Sequence, residues 1–177
     1  MAEMLPREVA ETAFAWVDAV LSGDGRAMWH MFDDNLRLVE TQLWLWANRD
    51  RPTIADSSLD ALASDLSQPI NGHPLWPGLL EARLSMAKEQ FPSAWNDSWG
   101  PLSGRRVVGD GLEVAFFTDP TRIPGGVVKE EFLGSGMVLL LRGHPRDGYQ
   151  VAAQQMYSPP IPGWPPMSGE PVDIIDR

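Results

Sequence analysis

The sequence contains no cysteine among its 177 residues. A chain without thiols has no disulfide framework, thiolate nucleophile, cysteine-ligated iron–sulfur cluster or cysteine-bound zinc. Tyrosine is also scarce, with 2 copies, whereas tryptophan is abundant, with 8. Large aromatic side chains mostly fill hydrophobic cores, and a minority line apolar ligand pockets. The composition therefore excludes thiol chemistry and favours a sizeable core or an apolar pocket.

Basic residues are few relative to acidic ones. The chain has 14 lysines and arginines against 24 aspartates and glutamates, which gives a formal net charge of -10 at neutral pH. Proteins bind nucleic acids and anionic membranes mainly through lysines and arginines that neutralise phosphates. We therefore expect neither nucleic acid nor a membrane as a partner.

Long apolar segments are also missing. No run approaches the ~18 apolar residues that span a bilayer. The first residues, 1–7, are polar and lack the basic and apolar segments of a secretory signal. These features predict a cytoplasmic protein.

Motifs for metals and cofactors are not recognisable either. The three histidines, His30, His73 and His144, do not show the spacing of metal ligands. The Gly-x-Gly pairs at 109–111 and 134–136 lack the helix and lysine that follow in a phosphate-binding loop. We therefore predict no metal site and no cofactor.

Helical periodicity dominates the first half of the chain. Apolar residues recur every three or four positions from Val9 to Leu21, which predicts an amphipathic helix. Gly23 can end this helix in a left-handed conformation, and Asp24 can cap a second helix. The pattern predicts a helical hairpin with a short turn.

A third helix is predicted over 36–48, with a strand over 36–40 as the alternative. Its residues form two stripes, Leu36, Val39, Leu43 and Ala47 on one and Glu40, Trp44 and Asn48 on the other. Two more predicted helices, one after Asp56 and one from Pro77 to Phe91, form a helical insert at 53–91.

Short strands dominate the second half. Gly109-Asp110-Gly111 between two apolar runs indicates a hairpin. The strands are predicted at 107–108, 112–118, 127–133, 137–142 and 149–157. Their connections are too short for helical crossovers, so we expect antiparallel neighbours. In the last strand Tyr149, Val151 and Ala153 are expected to point to the same face.

The order of these elements predicts one α+β domain over residues 1–157, followed by a proline-rich tail at 158–177. The tail should be extended rather than helical. We expect Ile161 and Trp164 to pack on the domain or on a partner subunit, and a free polyproline recognition motif is the alternative.

Three motifs resemble the nuclear transport factor two-like superfamily, which includes ketosteroid isomerases and the SnoaL-like cyclases. They are the first helix with its Ser22-Gly23-Asp24 turn, the second helix ending at Phe32-Asp33-Asp34, and the hairpin from Arg142 to Val151. The resemblance covers residues 7–49 and 105–157. It implies helices packed into a strongly curved, mainly antiparallel sheet, the cystatin-like cone-shaped barrel.

The resemblance also implies acid–base chemistry on a carbonyl compound. The isomerases of the superfamily carry a tyrosine in the first helix, whereas the two tyrosines here, Tyr149 and Tyr157, lie in the last predicted strand. The dehydratases and cyclases use aspartate and histidine, which makes His30 and Asp34, four residues apart on a helix, the candidate catalytic pair. The alternative is that His30 lies at the helix surface and Asp34 caps or ends a helix.

The first functional hypothesis is a pocket protein that binds a small, largely apolar molecule, with isomerase, dehydratase or cyclase chemistry as the reaction class. Glu40, Trp44, Asn48 and Tyr157 are the pocket candidates, with solvation or local pairing as the alternative for the polar ones. Whether the protein is an enzyme stays open.

The second hypothesis is a non-catalytic interaction or assembly module. Val138 and Leu140 alternate with Met137, Leu139 and Leu141, so that strand is apolar on both faces. Such a strand needs cover on both sides. A homodimer formed through the outer face of the sheet would provide that cover.

Overall fold

The computed structural model describes residues 3–93, 95–119, 136–156, 158–169 and 174–176. In these ranges the helices are α1 (Arg7–Ser22), α2 (Gly25–His30), α3 (Asp34–Asn48), α4 (Pro52–Ala55), α5 (Leu59–Leu66) and α6 (Trp76–Glu89). The strands are β1 (Gly100–Pro101), β2 (Arg106–Val108), β3 (Leu112–Thr118), β4 (Met137–His144), β5 (Gly148–Gln154) and β6 (Ile174–Asp176). The α+β class, with helices first and strands after them, is confirmed.

The turn between α1 and α2 forms as predicted. Gly23 has φ +83°, and its N–H donates to Val20 O at 3.2 Å, while Asp24 N–H donates to Ala19 O at 2.8 Å. Asp24 then caps α2, accepting from Ala27 N–H at 2.9 Å. A left-handed glycine and a carboxylate cap satisfy the free backbone groups of both helix ends, so the hairpin is determined locally.

Helix α3 confirms the helical prediction for 36–48 but corrects its buried face. Of the predicted apolar stripe, Leu36 and Val39 are buried but Leu43 and Ala47 are exposed. Other buried residues of the helix lie off this stripe: Arg37, Thr41, Trp44 and Leu45. The helix contacts α5 on one side and α6 with β5 on another. The helix packs on two sides rather than along one apolar stripe, which is why the periodicity predicts only part of its buried surface.

The sheet is antiparallel, with strand order β5-β4-β3-β2-β6, and β1 pairs with β3 beyond the end of β2. Gly111, at φ +76°, closes the predicted β2–β3 hairpin. Strand β4 extends two residues past the predicted end, and β5 ends at Gln154 instead of 157. The strand predicted at 127–133 lies outside the described residues.

A β-bulge interrupts the predicted alternation of β5. Leu140 is opposite Ala153, but Leu141 is opposite Val151, so Ala152 is the extra residue. Ala152 and Ala153 consequently both join the apolar cluster on the outer face, while Val151 packs on the helix side. The expectation that Ala153 shares a face with Val151 is therefore wrong.

Apolar residues on both faces of the sheet are buried within one chain. The helix-facing cluster contains Trp16, Trp29 and Phe117, and the outer cluster contains Phe116, Val138 and Leu140. Among the described strands β5 and β6 form the two ends of the sheet and do not pair with each other, so closure into a barrel is not confirmed. The helices of the described ranges include none with the length and apolarity of a membrane span.

Residues 158–169 lie on the helical layer without forming a helix. Pro160 O accepts from Asn35 Nδ2 at 2.9 Å, and Gly163 N–H donates to Gln42 Oε1 at 3.0 Å. Trp164 packs on the helix-facing core and donates from Nε1 to Asp60 Oδ1 at 2.8 Å. Trp164 therefore packs on its own chain, and β6 adds a further piece of the same tail to the sheet.

Candidate functional site

A cleft of about 210 Å³ opens between α3, α6 and the end of β5. Its polar lining consists of Glu40, Arg83, Gln90, Gln154 and Gln155. Its apolar lining consists of Phe32, Leu36, Leu43, Met86, Ala87 and Met156. We call this the Arg83 cleft.

Helical spacing brings these side chains to one place. Leu36, Glu40 and Leu43 follow one another at intervals of four and three residues along α3. Arg83 and Ala87 have the same relation on α6, which packs against α3. Residues three or four apart share a helix face, so each helix contributes one polar residue among apolar neighbours.

Arg83 is the most unusual residue of the cleft. Its side chain is 9% exposed, and Nη1 lies 2.7 Å from Oε2 of Glu40, whose side chain is 24% exposed. Nε is buried and has no hydrogen-bond partner among the described residues. Within this part of the chain, the bond to Glu40 is the only hydrogen bond that Arg83 makes. A guanidinium has five N–H donors, and an unpaired buried donor costs about 1–3 kcal/mol. Arg83 is therefore paired in charge but has unused donors.

The end of β5 forms a fixed wall of the cleft. Gln155 has φ +52°, and its Oε1 accepts from Val138 N–H at 2.8 Å while its Nε2 donates to Gln90 O at 3.2 Å. Gln154 Nε2 donates to Ala87 O at 3.5 Å, a long bond. The side chain of Gln155 is thus occupied, whereas Oε1 of Gln154 accepts no hydrogen bond from the described residues.

Of the predicted pocket residues, Glu40 lies in this cleft. Trp44 is buried instead in the helix-facing core, beside Gly78 of α6. Asn48 donates from Nδ2 to Trp44 O at 2.7 Å, a local bond within the last turn of α3. Tyr157 lies outside the described residues. The predicted stripe of Glu40, Trp44 and Asn48 therefore contributes Glu40 to the cleft and Trp44 to the core.

The predicted catalytic pair, His30 and Asp34, lines another cleft, of about 430 Å³, between α2, α3 and the β4–β5 hairpin. Asp34 is 98% exposed and pairs with Arg37, and no hydrogen bond joins it to His30 in the described part of the chain. Arg37 is itself buried, donating also to Phe32 O and, at 3.1 Å, to Ser67 O. Its contacts hold the helices together, and Asp34 faces Arg37 rather than His30, so His30 and Asp34 do not form an oriented acid–base pair.

A different ion pair supports the helix-facing side of the sheet. Glu113 on β3 is buried and accepts from Arg105 Nη2 at 2.6 Å and Nε at 3.1 Å. Hydrogen bonds from Arg105 to Glu113 and Glu3 raise the pKa of Arg105. Arg105 and Glu113 do not line the Arg83 cleft.

Sequence reasoning missed Arg83, Gln154 and Gln155. For Arg83 a signal exists, because it stands midway between Leu79 and Ala87 on the buried side of α6. A basic residue at an apolar position of an amphipathic helix indicates a buried partner or a site. The glutamines carry no such signal, since only the bulged end of β5 brings them to the cleft.

The Arg83 cleft combines apolar walls with a few fixed donors and acceptors, the composition of a small-molecule site. The described residues contain no group of three His, Asp or Glu side chains placed to hold a metal ion. Comparison with models of known protein families, with curated proteins and with solved structures finds no match.

Proposed function

We propose that the protein binds a small, largely apolar molecule in the Arg83 cleft. The observation that carries this proposal is the buried guanidinium of Arg83, which has one hydrogen-bond partner among the described residues. Buried donors in folded proteins are usually satisfied, and an unsatisfied one calls for a ligand or an ordered water. A bound molecule with an acceptor group would supply a partner for Nη2 of Arg83, which has none among the described residues.

The apolar part of the ligand would cover the mouth of the cleft. Leu43 and Met86, which line it from α3 and α6, are 36% and 42% exposed. Covering such surface contributes about 25 cal/mol per Å². The volume is below the roughly 300–1,000 Å³ of drug-sized sites, which favours a compact ligand.

Binding is proposed without an assigned reaction. The resemblance implies isomerase, dehydratase or cyclase chemistry, and such reactions need an acid and a base positioned on the substrate. His30 and Asp34 line a different cleft, and Glu40 is already paired with Arg83. The geometry supports recognition of a molecule, and the described lining of the cleft provides no second group for proton transfer beside Glu40.

Membership of the nuclear transport factor two-like superfamily, with its cone-shaped barrel, is part of the same proposal. Two features support it: the α1–α2 hairpin that turns at Gly23, and the antiparallel β4–β5 hairpin packed beneath α1. Fold similarity of this kind suggests a pocket and does not identify its ligand.

A homodimer through the outer face of the sheet is not favoured by any specific contact. Val138 and Leu140, the residues that would need covering, are already buried within a single chain. The described part of β4 therefore offers no free apolar face to a partner, and we propose ligand binding alone.

The proposal is tested by screening compact amphipathic molecules against the full chain by protein NMR. Backbone amides of α3, α6 and the end of β5 should shift with the ligands that bind. Arg83→Met, which keeps the length of the side chain and removes its donors, should weaken these ligands by about tenfold or more. Arg7→Met is the matched control, because Arg7 is 89% exposed and is not among the residues that line the cleft. Shifts that cluster elsewhere, or equal losses in both variants, would contradict the proposal.

A further inference from the structure

Among the described residues, the lining of the Arg83 cleft has no net charge. Its charged members in that part of the chain are Glu40 and Arg83, which neutralise one another across 2.7 Å. The other polar residues described there are glutamines, which carry no charge. A charged ligand group that enters the cleft would therefore lose its hydration without finding an unpaired charge of opposite sign in the described lining. This transfer is unfavourable in free energy.

An anion could reach Arg83 only in competition with Glu40. Displacing Glu40 would leave a carboxylate that is three-quarters buried without its partner. Removing one partner from a buried ion pair is strongly destabilising because the other charge stays uncompensated. The pair thus selects against carboxylates and phosphates although an arginine is present.

The hydrogen-bonding groups of the cleft that have no partner in the described part of the chain include both donors and acceptors. Nη2 of Arg83 is a donor without a partner among the described residues, while Oε1 of Glu40 and Oε1 of Gln154 are acceptors without donors there. Nε of Arg83 also has no partner there but is fully buried. A ligand that only accepts would leave the two acceptors unsatisfied, and one that only donates would leave Nη2 unsatisfied.

We infer that the ligand of the Arg83 cleft has a neutral head group that both donates and accepts hydrogen bonds, as a primary carboxamide does, attached to a short apolar body. The inference rests on the binding function proposed above and specifies its ligand class. The head group accepts from Arg83 and donates to Glu40 or Gln154, and the body packs against Leu43 and Met86.

The test compares hexanamide with hexanoate, which share a hydrocarbon chain and differ in charge at neutral pH. Affinities for the full-length protein are measured by NMR titration, with shifts at α3, α6 and the end of β5 as the signature of the cleft. Hexanamide should bind about tenfold more tightly than hexanoate or better. Similar affinities, or a preference for hexanoate, would overturn the inference while leaving a ligand site in the cleft.

Glu40→Gln provides the second measurement. Without the carboxylate, Arg83 gains a free charge, so hexanoate should tighten about tenfold or more and hexanamide should not. Glu81→Gln is the control, since it removes the same charge from an exposed position of α6. An unchanged hexanoate affinity in folded Glu40→Gln would contradict the inference. If neither hexanamide nor hexanoate shifts the amide signals of the cleft in the wild-type protein, both the proposed function and this inference are contradicted.

Discussion

Tyr149, at the start of β5, illustrates how surroundings alter a single ionisable residue. Burial raises the pKa of Tyr149 above its usual value of about 10. The negative charge of Glu113 raises it further, and the positive charge of Arg105 acts in the opposite direction. The folded state therefore holds the phenolic proton more tightly than the unfolded chain does.

We predict that Tyr149 loses its proton at higher pH than a free tyrosine, followed through the absorbance of tyrosinate. Because the folded pKa is the higher one, the stabilisation is complete below about pH 10 and is lost as pH rises through the folded pKa. Glu113→Gln should move this pKa down, since it removes a nearby negative charge that raises it.

Tyr149→Phe is the control that assigns the signal, because it should remove the late component of the titration. Tyr157→Phe should leave it in place. A tyrosine at position 149 that titrates at or below its ordinary value would show that burial does not govern it.

At the scale of elements, Asp33 joins the start of α3 to the sheet. Its Oδ1 accepts from Leu36 N–H at 2.7 Å as the helix cap, and its Oδ2 accepts from Arg142 Nε at 3.0 Å. Its backbone N–H donates to Val151 O at 2.9 Å. The cap and the ion pair use different oxygens, so substitutions can separate them.

We predict that Asp33→Ala lowers the free energy of unfolding by about 1–3 kcal/mol, since the cap and the ion pair are both lost. Asp33→Asn should lower it by about 1 kcal/mol or less, because asparagine caps well and Arg142 is half exposed. Urea denaturation of both variants measures the difference. Equal losses would mean that the ion pair, and not the cap, dominates at this position.

Elements with local signals were the ones that the sequence predicted well. Gly23 and Asp24 determine the α1–α2 turn through bonds to residues within a few positions, so the pattern there was sufficient. The bulge at Ala152 depends on pairing with β4, and Arg83 meets Glu40 from a different helix. Neither contact can be deduced from a short stretch of sequence. For that reason Glu40 is the only residue of the cleft that the sequence predicts.

At the scale of the whole molecule, the tail connects the helices with the sheet. Residues 160–164 bond to α3 and α5, while β6 pairs with β2 at the edge of the sheet. Proline-rich composition predicted an extended chain, but composition cannot specify these partners. The three hydrogen bonds and the packing of Trp164 make residues 158–169 part of the folded unit.

We predict that Trp164→Ala lowers the free energy of unfolding by about 1–3 kcal/mol, less than for a fully buried tryptophan because the side chain is partly exposed. Met167→Ala, at a residue that is 63% exposed, should change it by about 0.5 kcal/mol or less. Thermal and urea unfolding compare the two. No difference between them would mean that the tail is only loosely attached.

The pairing of β2 with β6 also affects the order in which the fold can form. Val108 of β2 pairs with Ile174 of β6, and β6 is the last of the described elements to be synthesised. This edge of the sheet therefore cannot be completed until β6 has been made. Until then β2 presents unpaired backbone groups, the kind of edge that attracts other strands. Residues 3–5, which bond to the neighbouring segment at 103–105, are made before every described helix and strand and can shield part of that edge while the chain grows.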